Sequence, residues 1–381
     1  MSVPPPDGWQ PPQQSGPLPN QGLPYGQSGY YSQQPPPAWQ QGSWPPPPGP
    51  PHQKGSNLKW LLVSLAVLLV IGITVGATLL FSRGDNGGGT TTPSSSAISD
   101  IASANDTGPV AIITDEPTCK EFVGINNSLG DLQEGGWGDL RANLGPATEW
   151  TSDQRATVEA VAVATRNAAD KAVPLAKKTP HRLVRELYEQ FIAYGRAYAD
   201  SIPTYQPSDD ALATANVNAS SAIIGICNTI TYGSVNRALA LGAAPPPSQI
   251  APVSNPDEAR PFIEESDDTC VSWIERSDKF AADTAAWEQL DSSVPASQWT
   301  PERRTMEAAV LPLLTTYADQ LASSAQQSGN PVLDDFGVAA SLYIRSYVSV
   351  GDKYTSADSW LSYTGFRLSQ LVKGACRAVA G

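Results

Sequence analysis

Residues suited to acid–base or metal chemistry are scarce in this sequence. It contains two histidines, His52 and His181, so a Ser-His-Asp arrangement would depend on one of them. His181 stands at the predicted first turn of a helix, where a surface residue is the simpler interpretation. No nucleophile elbow, phosphate-binding loop, dinucleotide-binding or zinc-protease motif occurs. The sequence therefore predicts no metal, no cofactor and no evident catalytic activity.

One constellation is repeated, a Tyr-x-Arg-x-Tyr pattern. Its members are Tyr194, Arg196, Tyr198, Tyr343, Arg345 and Tyr347. On a helix the two tyrosines of each set share a face, while the arginine points about 200° away. One interpretation is a binding groove for a peptide or glycan, with aromatic walls and a charged lip. The other is a set of core tyrosines, with each arginine pairing with Asp170 or Asp319 to brace two helices.

The pattern belongs to a longer internal repeat. Shifting the chain by 149 residues aligns Trp150 to Cys227 with Trp299 to Cys376, and 17 of the 78 aligned positions are identical. Chance would give roughly one identity in fifteen for ordinary composition. The sequence therefore predicts a duplication in which each copy holds about four helices.

The duplication selects a disulfide pairing. Four cysteines, Cys119, Cys227, Cys270 and Cys376, allow three pairings. Cys119 aligns with Cys270 after a two-residue slip, so each copy opens and closes with a cysteine. We expect Cys119–Cys227 and Cys270–Cys376. Each closes a loop of about 100 residues, which contributes up to about 4–5 kcal/mol in the chain-entropy model.

Apolar periodicity after Asp115 predicts helices rather than strands. Residues spaced at i, i+4, i+7 and i+8 form one stripe: Met306, Val310, Leu313, Leu314, Tyr317 and Leu321. Helix starts are indicated at Thr151 with Gln154 three residues on, at Thr179 and at Thr300, the last two each before a proline. The predicted fold class is all-α, with two tandem disulfide-linked helical bundles.

A charge-free run from Trp60 to Phe81 predicts one transmembrane helix. Lys59 and Lys54 precede it, and all four cysteines follow it, which favours an N-terminus in the cytoplasm and a C-terminal domain outside. Gly72 and Gly76 form a small-residue pattern that suggests dimerisation of the span. The prediction is a single-pass protein of the cell membrane, anchored by an uncleaved signal-anchor helix.

Six segments follow from composition. They are a Pro/Gln/Gly-rich tail at 1–57, a transmembrane helix at 58–81, a Gly/Ser/Thr linker at 82–115, repeat 1 at 116–232, a Pro-rich connector at 233–267 and repeat 2 at 268–381. The tail is either simply disordered or a docking strip for a cytoplasmic partner. The formal net charge of −13 argues against a nucleic-acid partner, because phosphate binding needs clustered Lys and Arg.

The tail sequences WQPPQQ and GYYSQQPPP, the single predicted span and the Ala-rich region after it resemble membrane proteins of actinobacteria, mycobacterial ones in particular. The resemblance implies a cell-envelope protein of unassigned activity. The missing chemistry, the duplication and the tail favour a non-enzymatic protein whose helical bundles bind an envelope protein or a wall component. Two alternatives stay open. One is a single-pass sensor that signals through its Pro-rich tail. The other is a carboxylate-based hydrolase of wall glycan, which needs two paired acids that the sequence does not identify.

Overall fold

The structure, a computed structural model, describes residues 100–133, 136–238, 244–247 and 249–380. The all-α class is confirmed there, with ten α-helices in these ranges. They are α1 (Cys119–Gln133), α2 (Trp137–Ala142), α3 (Ser152–Lys178), α4 (Arg182–Ser201), α5 (Asp210–Thr231), α6 (Val235–Ala238), α7 (Asp268–Glu288), α8 (Pro301–Gln327), α9 (Pro331–Val350) and α10 (Ser359–Ala380).

Local capping explains where the long helices begin. Thr151 and Gln154 form a reciprocal capping box at the start of α3. Thr300 accepts a hydrogen bond from the backbone N–H of Arg303 at the start of α8. The predicted start at Thr179 is wrong, because α4 begins at Arg182. The Thr179 hydroxyl is buried instead and donates to Glu116 Oε2 at 2.6 Å.

The helices form two sets related by the shift of 149 residues. In the first half of the described unit (residues 116–232), α1, α3, α4 and α5 pack together, and in the second half (residues 268–380), α7, α8, α9 and α10 do so. Both expected disulfides are present, Cys119–Cys227 linking α1 to α5 and Cys270–Cys376 linking α7 to α10. Each disulfide thus joins the first helix of a half to its last. The segment boundaries stay a prediction.

The two halves meet along α5 and α10. Gly225 on α5 faces Thr364 on α10, and Gly374 on α10 faces Ala215 on α5. Because the residue number rises along one helix as it falls along the other, the pair is antiparallel. Apolar side chains from both halves form one continuous buried cluster around this pair. The halves therefore share a core.

The membrane prediction needs correction. No helix among the described residues is both long and apolar enough to cross a bilayer. The longest, α3 and α8, have 27 residues each, but they carry charged residues along their outer faces and bury only one apolar face. This contradicts the single-pass topology, the signal-anchor assignment and the cell-membrane localisation, and none is carried further. The predicted span Trp60–Phe81, with Gly72 and Gly76, lies outside the described residues, as do the tail and residues 82–99 of the linker.

Candidate functional site

The repeated Tyr-x-Arg-x-Tyr residues lie on α4 and α9. All four tyrosine side chains are buried: Tyr194, Tyr198, Tyr343 and Tyr347. Arg196 Nη2 lies 2.6 Å from Asp170 Oδ1 on α3, and Arg345 pairs in the same way with Asp319 on α8. This is the geometry of the bracing interpretation, with tyrosines in the core and ion pairs across two helices. Of the six residues, Tyr347 also lines an open cleft.

That cleft lies beside α8 and α9 in the second half and has a volume of about 450 Å³ including its open mouth. Its residues are Trp299, Arg304, Glu307, Ala308, Leu311, Tyr347, Gly351, Asp352 and Tyr354. The Trp299 and Tyr354 ring centroids are 5.4 Å apart, and those of Tyr347 and Tyr354 are 5.8 Å apart. Three aromatic side chains thus form a wall, and the described residues leave one side of it open to solvent.

The first half contains the same aromatic frame, built by Trp150, Tyr198 and Tyr205. The Trp150 and Tyr205 centroids are also 5.4 Å apart. The surrounding bonds match as well, since the Trp150 indole donates to Gly145 O at 2.7 Å and the Trp299 indole to Val294 O at 2.9 Å. Each half therefore has an aromatic frame, meaning one tryptophan and two tyrosines at equivalent positions. The frame of the second half lines the cleft, and the frame of the first half can be compared with it.

Two replacements coincide with the frame that lines the cleft. Val158 and Ile202, both buried, belong to the packed cluster of the first half, and the residues 149 positions later are Glu307 and Gly351. Gly351 has φ +50°, a conformation that a β-branched side chain rarely adopts. The second half thus has a carboxylate in place of one apolar side chain and no side chain in place of the other.

Glu307 is 6% exposed and holds the cleft residues together. Its Oε2 accepts hydrogen bonds from the Trp287 indole at 3.0 Å and from the Tyr347 hydroxyl at 3.4 Å. Arg303 Nη2 lies 3.5 Å from its Oε1. Burial and the neighbouring Glu307 carboxylate raise the pKa of Tyr347 well above its usual value. Tyr347 therefore stays protonated and donates its hydroxyl hydrogen to Glu307.

Tyr198 shows what the first half lacks. Val158 stands at the position equivalent to Glu307, and the buried Tyr198 hydroxyl has no hydrogen-bond partner among the described residues. Burial raises the pKa of Tyr198 to about 12. The same tyrosine position is therefore satisfied in one half and unsatisfied in the other.

A second cluster, of buried charges, joins the halves where α4 meets α9. Arg182 donates to both carboxylate oxygens of Asp335, at 2.6 and 3.1 Å, and each side chain is 3% exposed. Arg182 also donates to Asp106 O at 2.7 Å and to Gly108 O at 3.1 Å. The segment before α1 is thereby fastened over the junction.

Glu186 lies inside this junction with no exposed surface. Neither of its carboxylate oxygens has a hydrogen-bond partner among the described residues, and Arg185 Nη2 approaches Oε1 only to 3.6 Å. Burial, and then the nearby Asp335 carboxylate, raise the pKa of Glu186 well above its usual value. Glu186 and Asp335 occupy equivalent positions in the two halves, so two equivalent acidic side chains lie close together across the junction.

The described residues do not form a metal site, and neither His181 nor the cysteines belong to a reactive cluster there. No group of three or more His, Cys, Asp or Glu side chains there is arranged to hold a metal ion. His181 precedes α4, and its Nε2 lies 2.7 Å from Asp115 O at the surface. The described cysteines are all consumed by the two disulfides.

Comparison with known proteins gives the chain a family. A family model described as "Mycobacterial ESX-1 associated protein" matches residues 101–381, well over half of the chain. The chain belongs to this ESX-1 associated family. It is also 39% identical over 330 residues to an uncharacterised protein of Mycolicibacterium smegmatis (strain MKD8), covering 85% of this chain and 87% of that protein. No solved structure matches this member of the ESX-1 associated family.

These matches confirm the mycobacterial character that the sequence suggested, though not its membrane component. Sequence reasoning missed both the cleft and the buried junction. A signal for the cleft was available in the alignment of the halves, where Val158 and Ile202 oppose Glu307 and Gly351. A signal for the junction was also present in α4, where one face is apolar and another carries four charged residues: Arg182, Arg185, Glu186 and Glu189.

Proposed function

We propose that the chain is a non-catalytic binding protein associated with the ESX-1 secretion system, and that its helical unit holds a polypeptide component of that system. The observation that carries this proposal is the family match, which spans residues 101–381 and so coincides with the described helical unit. The proposed partner is thus a component of the secretion system, whereas the sequence alone suggested an unidentified envelope protein or wall component.

Two features of the unit support a binding role over catalysis. First, two of the buried carboxylates, Asp335 and Glu307, pair with arginines of the chain itself, which is a structural role. Second, the aromatic cleft beside Trp299 is open to solvent, as a site for a protruding side chain would be.

In-cell crosslinking through a tag after Gly381 tests the proposal. The experiment uses the full-length protein in a mycobacterial host with an intact ESX-1 system and in one from which the system is deleted. We expect secretion-system components to be enriched in the first host and lost in the second. Equal recovery of the same general envelope proteins from both hosts would contradict the proposal.

A version lacking residues 2–52 separates the tail from the helical unit. If both versions capture the secretion components, the contact lies in the helical unit, as we propose. Loss of capture with the tail would instead favour the alternative in which the partner binds the Pro-rich segment.

A further inference from the structure

We propose that the cleft formed by Trp299, Glu307, Tyr347, Gly351 and Tyr354 binds one basic side chain, lysine or arginine, presented by a polypeptide. This inference rests on the proposed function, since a polypeptide ligand presupposes a binding protein. It adds the chemical class that the site recognises.

The first argument is the carboxylate of Glu307 within an aromatic wall. A buried carboxylate is costly unless cations and donors surround it. An ionised carboxylate has about four acceptor sites, and three groups of the chain approach Glu307, the arginine only to 3.5 Å. One strong, charge-assisted contact is therefore still available to a ligand.

The second argument is the aromatic lining. A lysine or arginine side chain has an apolar stem and a charged head. Trp299, Tyr347 and Tyr354 supply ring surface for the stem, and a cation near such rings gains further attraction. Two arginines of the chain already use this attraction at Trp299, since Arg303 Cζ lies 5.1 Å and Arg304 Cζ 6.0 Å from its ring centroid.

The third argument is charge at the mouth. Asp352 lines the cleft, and its side chain is 96% exposed. The cationic residue of the rim, Arg304, is tied down by a hydrogen bond of 2.6 Å to Ala296 O and lies 3.9 Å from Asp352. A formal net charge of −13 also attracts cations toward the protein.

The frame of the first half supports the assignment. There, Val158 and Ile202 are apolar side chains of the packed cluster. The second half places an acid where the first half has an apolar side chain. That change disfavours a purely apolar ligand, because it would leave the carboxylate desolvated without a new partner.

Titration of the purified full-length protein tests the proposal without any secretion component. The probes are Nα-acetyl-lysine amide and its neutral analogue Nα-acetyl-norleucine amide. Binding is measured by calorimetry and by shifts of the indole N–H resonances of Trp299 and Trp287. We expect the lysine probe to bind with a dissociation constant on the order of millimolar, and the norleucine probe to bind at least about tenfold more weakly.

Two variants and a matched control decide the role of the cleft. Glu307→Gln keeps the shape of the side chain and should weaken the lysine probe about tenfold. Ala308→Phe, at an exposed lining position, should block the mouth and abolish binding even if Glu307→Gln disturbs folding. Glu159→Gln, at the exposed position equivalent to Ala308 in the first half, should bind the lysine probe like wild type.

Equal affinity for both probes, wild-type affinity in Ala308→Phe or Glu307→Gln, or no binding of the lysine probe would overturn the assignment. These outcomes are separable from the cellular test. A positive titration with no secretion component captured would contradict the proposed function alone. Capture that persists while the lysine probe fails to bind would contradict the cleft assignment alone.

Discussion

Gly225 on α5 lies directly against Thr364 on α10. A Cβ placed at Gly225 would come within 3.2 Å of Thr364 Cα and would overlap its hydroxyl. The positions 149 residues away repeat the contact with the roles exchanged, because a Cβ at Gly374 would lie 3.0 Å from Ala215 N. The close approach of these two helices therefore depends on glycine at both places.

Gly225→Ala should lower the free energy of unfolding by about 1–3 kcal/mol, because an added methyl overpacks the contact between the halves. Thr364→Ala in the same chain should restore part of the loss, since it removes the overlapping hydroxyl. Urea unfolding measures both effects. Gly124→Ala, at an exposed position of α1 with nothing within 4 Å of the new methyl, should instead stabilise by roughly 0.5–1 kcal/mol. A similar loss there would point to a general helix effect.

Tyr347→Phe and Tyr198→Phe remove the same hydroxyl from equivalent positions. Tyr347→Phe should cost about 1 kcal/mol of unfolding free energy or somewhat more, because Glu307 loses a hydrogen bond. Tyr198→Phe should be neutral or stabilising, because it removes a buried hydroxyl with no partner among the described residues. Equal losses in the two variants would contradict this contrast.

Glu186→Gln should raise stability at neutral and alkaline pH. The pKa of Glu186 is raised in the folded protein, so wild-type stability is fully present below the unfolded pKa and falls as pH rises through the folded pKa. Glutamine mimics the protonated form and should remove that part of the slope. Unfolding free energies measured from about pH 5 to pH 9 test this.

A residual slope should persist in Glu186→Gln, because burial also raises the pKa of Glu189 and of Asp334. The control is Glu121→Gln, at an exposed carboxylate that pairs with Lys178. It should leave the slope of wild type unchanged. A slope of wild-type size in Glu186→Gln would show that the junction carboxyl is not its source.

Asp335→Asn should lower the free energy of unfolding by about 3–5 kcal/mol, because it leaves the buried Arg182 guanidinium without its anion. Asp170→Asn breaks an ion pair with Arg196 whose side chains are 53% and 25% exposed, and it should cost about 1 kcal/mol or less. Thermal and urea unfolding of both variants give the comparison. Losses of equal size would mean that burial does not set the strength of these pairs.

Removal of either disulfide should destabilise the protein to a similar extent. Cys119 and Cys227 are 108 residues apart, and Cys270 and Cys376 are 106 residues apart. In the chain-entropy model each pair of Cys→Ser changes should cost up to about 4–5 kcal/mol. Melting of the two double variants checks this, and strongly unequal losses would indicate residual structure in one unfolded half.

The cysteine pairing and the all-α class could be predicted because both depend on patterns within the chain, namely aligned cysteines and apolar periodicity. The aromatic groove was harder to judge, because periodicity cannot say whether Tyr194 faces solvent or a second layer. The Arg182–Asp335 pair could not be predicted at all. It joins residues 153 positions apart, and the shift of 149 that reveals the halves does not indicate which faces meet.

The reciprocal contact of α5 and α10 has a consequence for ancestry. Each half presents the same surface to the other, which is the geometry of an isologous dimer with a two-fold axis. We infer that the unit descends from a homodimer whose subunits became covalently joined. Fusion makes assembly independent of protein concentration, and it releases the halves from identity. One half could then differ from the other, with Val158 in a sealed frame in the first and Glu307 beside an entrance in the second.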